Sequence, residues 1–475
     1  MPLSLVDAQE RLRALASTGP TALLAEAFAA RGEELALVGG PVRDAFLGLE
    51  VHDLDFTSSA DPDTILEIVK PISTAQWDVG RQFGTIACRI EGQTVEITTY
   101  RADVYDGQTR KPEVEFGSTL EDDLVRRDFT VNAMALRLPQ LQLVDVGGGL
   151  DHLMAGVLDT PREPEQSFHD DPLRMLRAAR FASQLGFAPT DRVVASMREL
   201  APELDRISAE RVRDEFSKLL LTRDPGPGIR LLTEAALLER FLPEVPALRL
   251  ESDEHAHHKD VYEHSLMVLH QGIELWERRN PDAGPDLVSR LAGLLHDIGK
   301  PATKRVEGRV VSFHNHDLVG ARLAKKRLRA LRFDNDTIAQ VARLIELHLR
   351  FFGYSEAAWS DAAVRRYVRD AGEQLERLHV LTRSDVTTRN RRKAEMLDFA
   401  YDDLERRIAE LAEQEELDSM RPDLDGTQIM ALLGIPPSRA VGEAYTMLLE
   451  ARMDHGPLGE ERATELLRQW WAERG

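Results

Sequence analysis

The chain is predicted to fold as an α+β N-terminal head followed by a long all-α body. Residues 35 to 146 mix short β-like runs with turns, whereas from about residue 165 apolar residues recur every three or four positions. A hydrophobic content of 43% beside 30% charged residues suits a well-cored protein, and scarce aromatics (6%) with abundant Leu and Ala lean toward helix. At 475 residues the chain exceeds one compact core, so about two to four domains are expected.

The head's β-like runs are Leu35–Val38, Val51–Thr57, Thr85–Ile90 and Thr94–Tyr100. The last two flank Glu91–Gly92–Gln93 and read as a hairpin. The helical pattern breaks at Asp224–Pro225–Gly226–Pro227–Gly228, at Asn280–Pro281–Asp282–Ala283–Gly284–Pro285 and near Arg421–Pro422. Acidic residues outnumber basic ones 81 to 60, for a net charge of −21, which on average argues against a polyanionic partner. Ligands touch patches, however, and not averages. The single cysteine, Cys88, forms no internal disulfide. Met1 to Pro20 lacks a basic region followed by an apolar run, and no apolar stretch reaches the roughly 18 residues of a membrane span. A cytoplasmic protein without a membrane partner is expected.

Leu37–Val38–Gly39–Gly40–Pro41–Val42–Arg43–Asp44 leaves a strand-like run and opens a helix-like one. Glycines let backbone approach a ligand, Pro41 suits a first helical turn, and amides at a helix N-terminus bind phosphate, with Arg43 adding charge. Taken alone, the pair of glycines also fits a plain tight turn. In Val51–His52–Asp53–Leu54–Asp55–Phe56, strand alternation points Asp53 and Asp55 to one side and Leu54 and Phe56 into the core. Two carboxylates aimed together repel unless a cation lies between them, and Mg²⁺ takes hard oxygen ligands and substrate phosphates. A solvated pair at a strand edge is the plain alternative.

The succession of phosphate turn, short helix and Asp-x-Asp resembles the DNA polymerase β-type nucleotidyltransferases, which implies a mixed sheet with flanking helices and a third catalytic carboxylate. Glu96 is the candidate, since Val95 and Ile97 take the other strand face. Glu121–Asp122–Asp123–Leu124–Val125–Arg126–Arg127–Asp128–Phe129–Thr130–Val131–Asn132–Ala133 is similar to the Arg–Arg–Asp–Phe–Thr–Ile–Asn–Ala motif of the bacterial CCA-adding tRNA nucleotidyltransferase and poly(A) polymerase family. The resemblance implies that Gly39, Gly40, Arg43, Arg127, Asp128 and Asn132 bind the nucleotide, with Mg²⁺ on Asp53 and Asp55.

Phe168–His169–Asp170–Asp171–Pro172–Leu173–Arg174–Met175–Leu176–Arg177 reads as a helix start, with Asp171 as N-cap, Pro172 as first helical residue and Gly186 closing the helix. Asp170 and Arg174 are spaced to lie close together, with Arg174 and Arg177 on one face. Cytosine and adenine both present an amino donor beside a ring-nitrogen acceptor, so a carboxylate and an arginine accept CTP and ATP and reject UTP and GTP. The family's template, acid–Asp–x–x–Arg, is matched by Asp170–Asp171–Pro172–Leu173–Arg174, and that match assigns which acid faces the base. Glu210–Arg211–Val212–Arg213–Asp214–Glu215–Phe216–Ser217–Lys218–Leu219–Leu220 resembles the family's next motif and is read as structural support.

Histidines cluster between residues 255 and 348. His264, His296–Asp297, His314 or His316, His348 and Asp385 follow the pattern of the HD superfamily of metal-dependent phosphohydrolases. The resemblance implies one ion on His264, His296, Asp297 and Asp385, with His316 and His348 completing a second site; spacing does not choose between His314 and His316. The metal's identity is open, since imidazole with carboxylate suits several divalent ions. The segment from Leu424 to Trp471 resembles the family's tRNA-holding C-terminal helices, and Lys325–Lys326–Arg327–Leu328–Arg329 and Arg389–Asn390–Arg391–Arg392–Lys393 are candidate backbone contacts.

The resemblance runs from about residue 30 to 470 and divides the chain into a nucleotidyltransferase head at 1–160, a nucleotide-base and RNA-binding neck at 161–250, an HD domain at 251–400 and a tRNA-binding tail at 401–475. The implied activity is addition of C, C and A to tRNA 3′ ends from CTP and ATP. The rival within the family is a poly(A) polymerase or A-only adding enzyme, differing in a loop near Val104–Val114. The rival from another class is an HD phosphohydrolase with an RNA-binding head. No obligate protein partner is implied. A narrow basic path on an acidic body, with salt-dependent tRNA binding, reconciles the charge with this partner.

Overall fold

The computed structural model describes residues 3–51, 53–78, 80–81, 84–104, 113–116, 119–250, 260–307, 310–356, 359–386, 391–415 and 421–474. His52, residues 105–112 of the Val104–Val114 loop, the histidines at 255, 257 and 258, and Arg389 and Asn390 lie outside them. The chain forms two compact units, Met1–Phe241 and Leu242–Gly475.

The strands of the first unit that carry its site are β1 (Leu35–Val38), β2 (Leu54–Ser58), β3 (Ala75–Trp77), β4 (Thr85–Ile90), β5 (Gln93–Thr99), β6 (Arg101–Val104), β7 (Glu113–Phe116), β8 (Met134–Leu138) and β9 (Gln142–Asp145). Seven form one sheet in the order β3-β4-β5-β2-β1-β8-β9, and β6 pairs with β7. β2 and β5 run parallel while the other pairings are antiparallel, so the sheet is mixed, as expected. The β4–β5 hairpin is tighter than the sequence suggested: Ile90 pairs with Gln93, and Glu91 (φ 49°) and Gly92 (φ 82°) alone make the turn. Two positive φ values in succession match the turn that a right-handed strand twist favours. β8 and β9, which the sequence reading did not separate out, follow the arginine motif and complete the far side of the sheet.

Beyond the sheet in sequence, the helix Leu173–Leu185 packs among Ala209–Leu220 and Gly226–Glu234. The break foreseen at Asp224–Gly228 is the start of that last helix, where the Asp224 carboxylate accepts from the Gly226 N–H at 3.1 Å. Gly228 donates to Ser183 Oγ at 2.8 Å, and a Cβ there would lie 2.4 Å from the Ala179 carbonyl and 2.5 Å from a Leu219 methyl.

Among the described residues the second unit is helical apart from a short antiparallel pairing of Arg305–Glu307 with Val310–Ser312. Its helices include Val261–Arg279, Leu287–Leu295, His316–Ala330, Asn335–Leu347, Leu375–Ser384 and Arg391–Glu415. Beyond Pro422 the helices Gly426–Leu433, Arg439–His455 and Gly459–Ala472 enclose a small core of Leu424, Ile429, Ala444, Leu448, Ala463 and Leu467. Asp425 and Gln428 form a reciprocal capping box at its start. Among the described residues no helix is long and apolar enough to cross a membrane.

Replacing Gly228 by Ala forces a methyl into a site with no slack and should cost about 2–3 kcal/mol. A thermal melt should then fall by about 5–10 °C; an unchanged melt would show that the three helices part easily.

Candidate active sites

In the first unit the strand alternation holds. Asp53 is exposed, Leu54 buried, Asp55 half-buried and Phe56 buried. Because β2 and β5 are parallel and in register, Glu96 stands directly opposite Asp55, with Val95 and Ile97 buried on the other face. Burial, then the charges of Glu96 and Asp53, push the Asp55 carboxyl up to about 6 against the opposing pull of Arg127. A carboxylate strained in this way is relieved by a cation, so these residues fit a hard divalent ion.

Gly39 occupies φ 77°, ψ −125°, which favours glycine, and caps the helix Gly40–Leu47. Its N–H donates to the Met134 carbonyl of β8 at 3.2 Å, which pins the turn to the sheet. Arg43 turns inward: it is buried, donates to Asn132 Oδ1 at 2.6 Å and to Asp44 Oδ1 at 2.8 Å, and lies 5.4 Å from the Phe181 ring. Its sequence gave it a phosphate contact; its geometry makes it a brace for Asn132.

Asp128 accepts from Arg177 Nε at 2.7 Å, from Asn132 Nδ2 at 3.1 Å and from the Phe129 N–H at 2.8 Å. Burial raises this carboxyl, but Arg177, Asn132 and Arg174 outweigh it and hold it well below the usual range. The arginine motif and the neck helix therefore meet at one acid.

The template segment differs in detail from its expected form. The helix begins at Leu173, because Asp171 closes the preceding helix Pro164–Asp170 and then accepts from the Leu173 N–H at 3.2 Å. Asp170 thus belongs to a different helix from Arg174, and helical i,i+4 geometry does not pair them. Arg174 donates to Ser167 Oγ at 2.8 Å and to the Arg126 carbonyl at 2.7 Å. Asp170 lies 3.9 Å from Arg162, and Asp171 accepts from Arg211 at 3.2 Å. Both acids still act on the charge of Arg174. Glu215 of the following motif is buried against Arg180, in keeping with structural support.

Sequence reasoning passed over Phe181, whose ring has Arg43, Arg177 and Arg180 at 5.4, 5.4 and 4.2 Å. Its place in a helical apolar stripe gave no signal beyond core packing.

In the second unit the histidines converge from different helices. His264 Nε2 lies 2.9 Å from Asp385 and 3.6 Å from Asp297; His296 Nε2 lies 3.2 Å from Asp297 and 3.5 Å from Asp385. His316 Nε2 is 3.3 Å from the other Asp297 oxygen. Two groups, His264–His296–Asp297 and Asp297–His316–His348, each bring their ligand atoms within 4.8 Å of one another and share Asp297. His316 is buried in the cluster while His314 is exposed, so the structure makes the choice that spacing left open.

Each Nδ1 of His296, His316 and His348 faces a backbone carbonyl three residues back, Gly293, Phe313 and Ile345, at 2.9, 2.8 and 2.6 Å. Those carbonyls fix the tautomer that leaves Nε2 as acceptor toward the cluster. The Nε2 of His348 is buried without a hydrogen-bond partner, and burial pushes that imidazole down to about 4, so it is neutral. The Nε2 atoms of His264, His296 and His316 gathered around the Asp297 carboxylate, with a neutral His348 beside them, offer the donor set of a divalent metal centre.

Of the basic clusters, Lys325, Lys326 and Arg329 are exposed, whereas Arg327 is paired with Glu244 at 2.9 Å.

Comparison with known proteins matches residues 35–159 to the poly(A) polymerase head domain, 186–248 to the probable RNA and SrmB-binding site of polymerase A, and 261–390 to the HD domain. An A-adding tRNA nucleotidyltransferase of Deinococcus radiodurans is 36% identical over 92% of this chain and 95% of its own length. A CCA-adding enzyme of Ligilactobacillus salivarius is 37% identical over 52% of this chain, which spans 58% of that relative. Among solved structures, the Bacillus stearothermophilus CCA-adding enzyme in complex with CTP superimposes with a TM-score of 0.67 at 25% identity, covering 95% of this chain and 97% of its own. The Thermotoga maritima CCA-adding enzyme complexed with tRNA shares the fold, with a TM-score of 0.62 over 98% of both chains. The chain belongs to the tRNA nucleotidyltransferase and poly(A) polymerase family, with an HD domain beyond its head and RNA-binding segments.

Proposed function

We propose that this protein adds C, C and A to tRNA 3′ ends from CTP and ATP, releasing pyrophosphate, in the cytoplasm. The observation that carries the reading is the facing of Asp55 and Glu96 on parallel strands, with Asp53 at the strand entry. Asp53, Asp55 and Glu96 would hold Mg²⁺, which when bound neutralises charge on the attacking hydroxyl and the leaving pyrophosphate. The turn at Gly39 and Gly40, through the Gly40 amide, and the Arg127 guanidinium receive the phosphates, and the Asp128–Asn132–Arg177 network orients the nucleotide. Asp170 or Asp171 with Arg174 reads the base edge, Arg174 exchanging its Ser167 and Arg126 contacts for the ring nitrogen. The division into head (1–160), neck (161–250), HD domain (251–400) and tail (401–475) assigns tRNA holding to the neck and tail.

A second reading, A-only addition, is favoured by one observation: the Deinococcus radiodurans relative that aligns over 92% of this chain is A-adding. Purified protein offered tRNA ending at the discriminator base, at C and at CC, and an oligo(A) primer, separates the two. Completion of CCA on all three tRNAs supports CCA addition; extension of the CC-ending tRNA alone supports A-only addition, and long A tails on any primer overturn both. Replacing Asp53 and Asp55 by Ala should reduce addition to background.

Arg174→Ala should relax the preference for CTP and ATP over UTP and GTP more than it slows transfer. Unchanged selectivity in the assay would remove Arg174 from the template.

The HD centre is proposed to bind divalent metal on His264, His296, Asp297, His316, His348 and Asp385 and to hydrolyse phosphomonoesters or cyclic phosphodiesters. Replacing His296 by Ala should lower bound metal in elemental analysis and abolish hydrolysis while leaving nucleotide addition intact. Loss of addition together with hydrolysis would show that the two chemistries are not independent.

A further inference from the structure

Asp123 is fully buried and none of the motif assignments above gives it a role. It sits on the short helix Leu120–Val125, whose Leu120 and Leu124 pack with Ala36, Val38 and Ala135 of the sheet. Its Oδ1 accepts from Arg126 Nε and Nη2 at 3.1 and 2.8 Å, and its Oδ2 accepts from Arg127 Nη2 at 2.9 Å. The same Oδ2 lies 3.3 Å from Thr57 Oγ1. Thr57 stands two residues beyond Asp55 on β2 and therefore shares its face. One buried carboxylate thus joins the strand that carries the catalytic acids to both arginines of the motif. Burial would raise this carboxyl, but the two guanidiniums outweigh it and keep it ionised.

Arg127 is the arm that reaches the site. Its Nη1 lies 3.6 Å from where a Cβ on Gly39 would stand, and its charge acts on Asp55. Its Nε–H is buried without a hydrogen-bond partner. A guanidinium fixed at one nitrogen to a buried acid, with a donor still unmet beside a phosphate turn, is prepared for an anion and loses little freedom when the anion arrives.

We propose that Asp123 is a positioning residue for nucleotide addition, holding Arg127 in the orientation that receives the triphosphate of the incoming nucleotide. The proposal rests on the nucleotidyltransferase reading above. The Arg126 side chain, bound to the other oxygen, serves to balance the buried charge and not to meet the substrate.

Asp123→Asn keeps the shape and removes the charge. With the full chain and a tRNA ending in CC, KM for ATP should rise at least about ten-fold while KM for tRNA stays within about two-fold. Arg127→Lys should give a similar rise, and the double variant should be no worse than either single one, because both act through one contact. A folded Asp123→Asn protein with unchanged KM for ATP overturns the proposal, as do losses that multiply in the double variant. If Asp123→Asn does not fold, Arg126→Gln carries the test: KM for ATP unchanged supports the assignment to Arg127, and a ten-fold rise overturns it. Should the unaltered protein extend no tRNA, the nucleotidyltransferase reading fails by itself. Asp123 is then judged by equilibrium titration with ATP and Mg²⁺, where ten-fold weaker binding by Asp123→Asn or by Arg127→Lys supports the proposal and equal binding overturns it.

Discussion

The head and neck motifs are held together by one buried carboxylate, Asp128. It joins the arginine motif to Arg177 of the neck helix across 49 residues of sequence. Through Asn132 it extends to Arg43, and Arg43 and Arg177 both lie 5.4 Å from the Phe181 ring. Phosphate turn, arginine motif and neck helix are therefore three parts of one polar network inside an apolar unit. Removing one member of such a network leaves a charge buried without its partner, at a cost of about 3–5 kcal/mol, so the network specifies an arrangement more than it adds stability. This constraint also explains Arg43, whose inward turn makes it a brace for Asn132 instead of a free phosphate ligand.

The two acidic centres use opposite electrostatics. Burial and neighbouring carboxylates push Asp55 up to about 6, whereas at Asp297 and Asp385 burial is outweighed by the charge of His296, with Lys300 adding to it at Asp297, and both acids are held well below the usual range. An all-oxygen set suits a hard ion that keeps water and phosphate in its shell; mixed imidazole and carboxylate suits a transition metal. Part of the −21 net charge is thus concentrated where cations or guanidiniums balance it. That removes the apparent conflict between an acidic chain and a polyanionic partner, since only the surface facing RNA has to be basic.

Strand periodicity made the acids of the first unit's candidate site legible. A period of two residues puts Asp53 and Asp55 on one side, the resemblance added Glu96 as a third carboxylate, and the register of β2 against β5 sets Glu96 opposite Asp55. Helical spacing was less informative where one helix ended and another began: Asp170 and Arg174 have i,i+4 spacing but belong to different helices, so Arg174 found Ser167 and the Arg126 carbonyl. His314 and His316 differ only in which side of a turn they occupy, and that depends on Asn315 adopting φ 60° before the helix His316–Ala330. Asp123 lies inside the arginine motif yet showed no role in the sequence, because its burial and its contacts with Thr57, Arg126 and Arg127 are not written in the pattern of charges around it.

The shared base-edge pattern limits what the template residues do. Cytosine and adenine offer the same donor and acceptor order, so the proposed pair of a carboxylate and Arg174 would accept both and exclude uracil and guanine by leaving polar groups unpaired. For the same reason these residues do not distinguish the first C from the final A. That distinction requires a change in the space available, because a purine is larger than a pyrimidine, and space is set by backbone and by the position of the growing 3′ end. CCA addition and A-only addition can therefore share every head and neck residue discussed above. The difference between them has to reside in elements that shape the pocket, which is why the primer, not the template residue, is the informative variable.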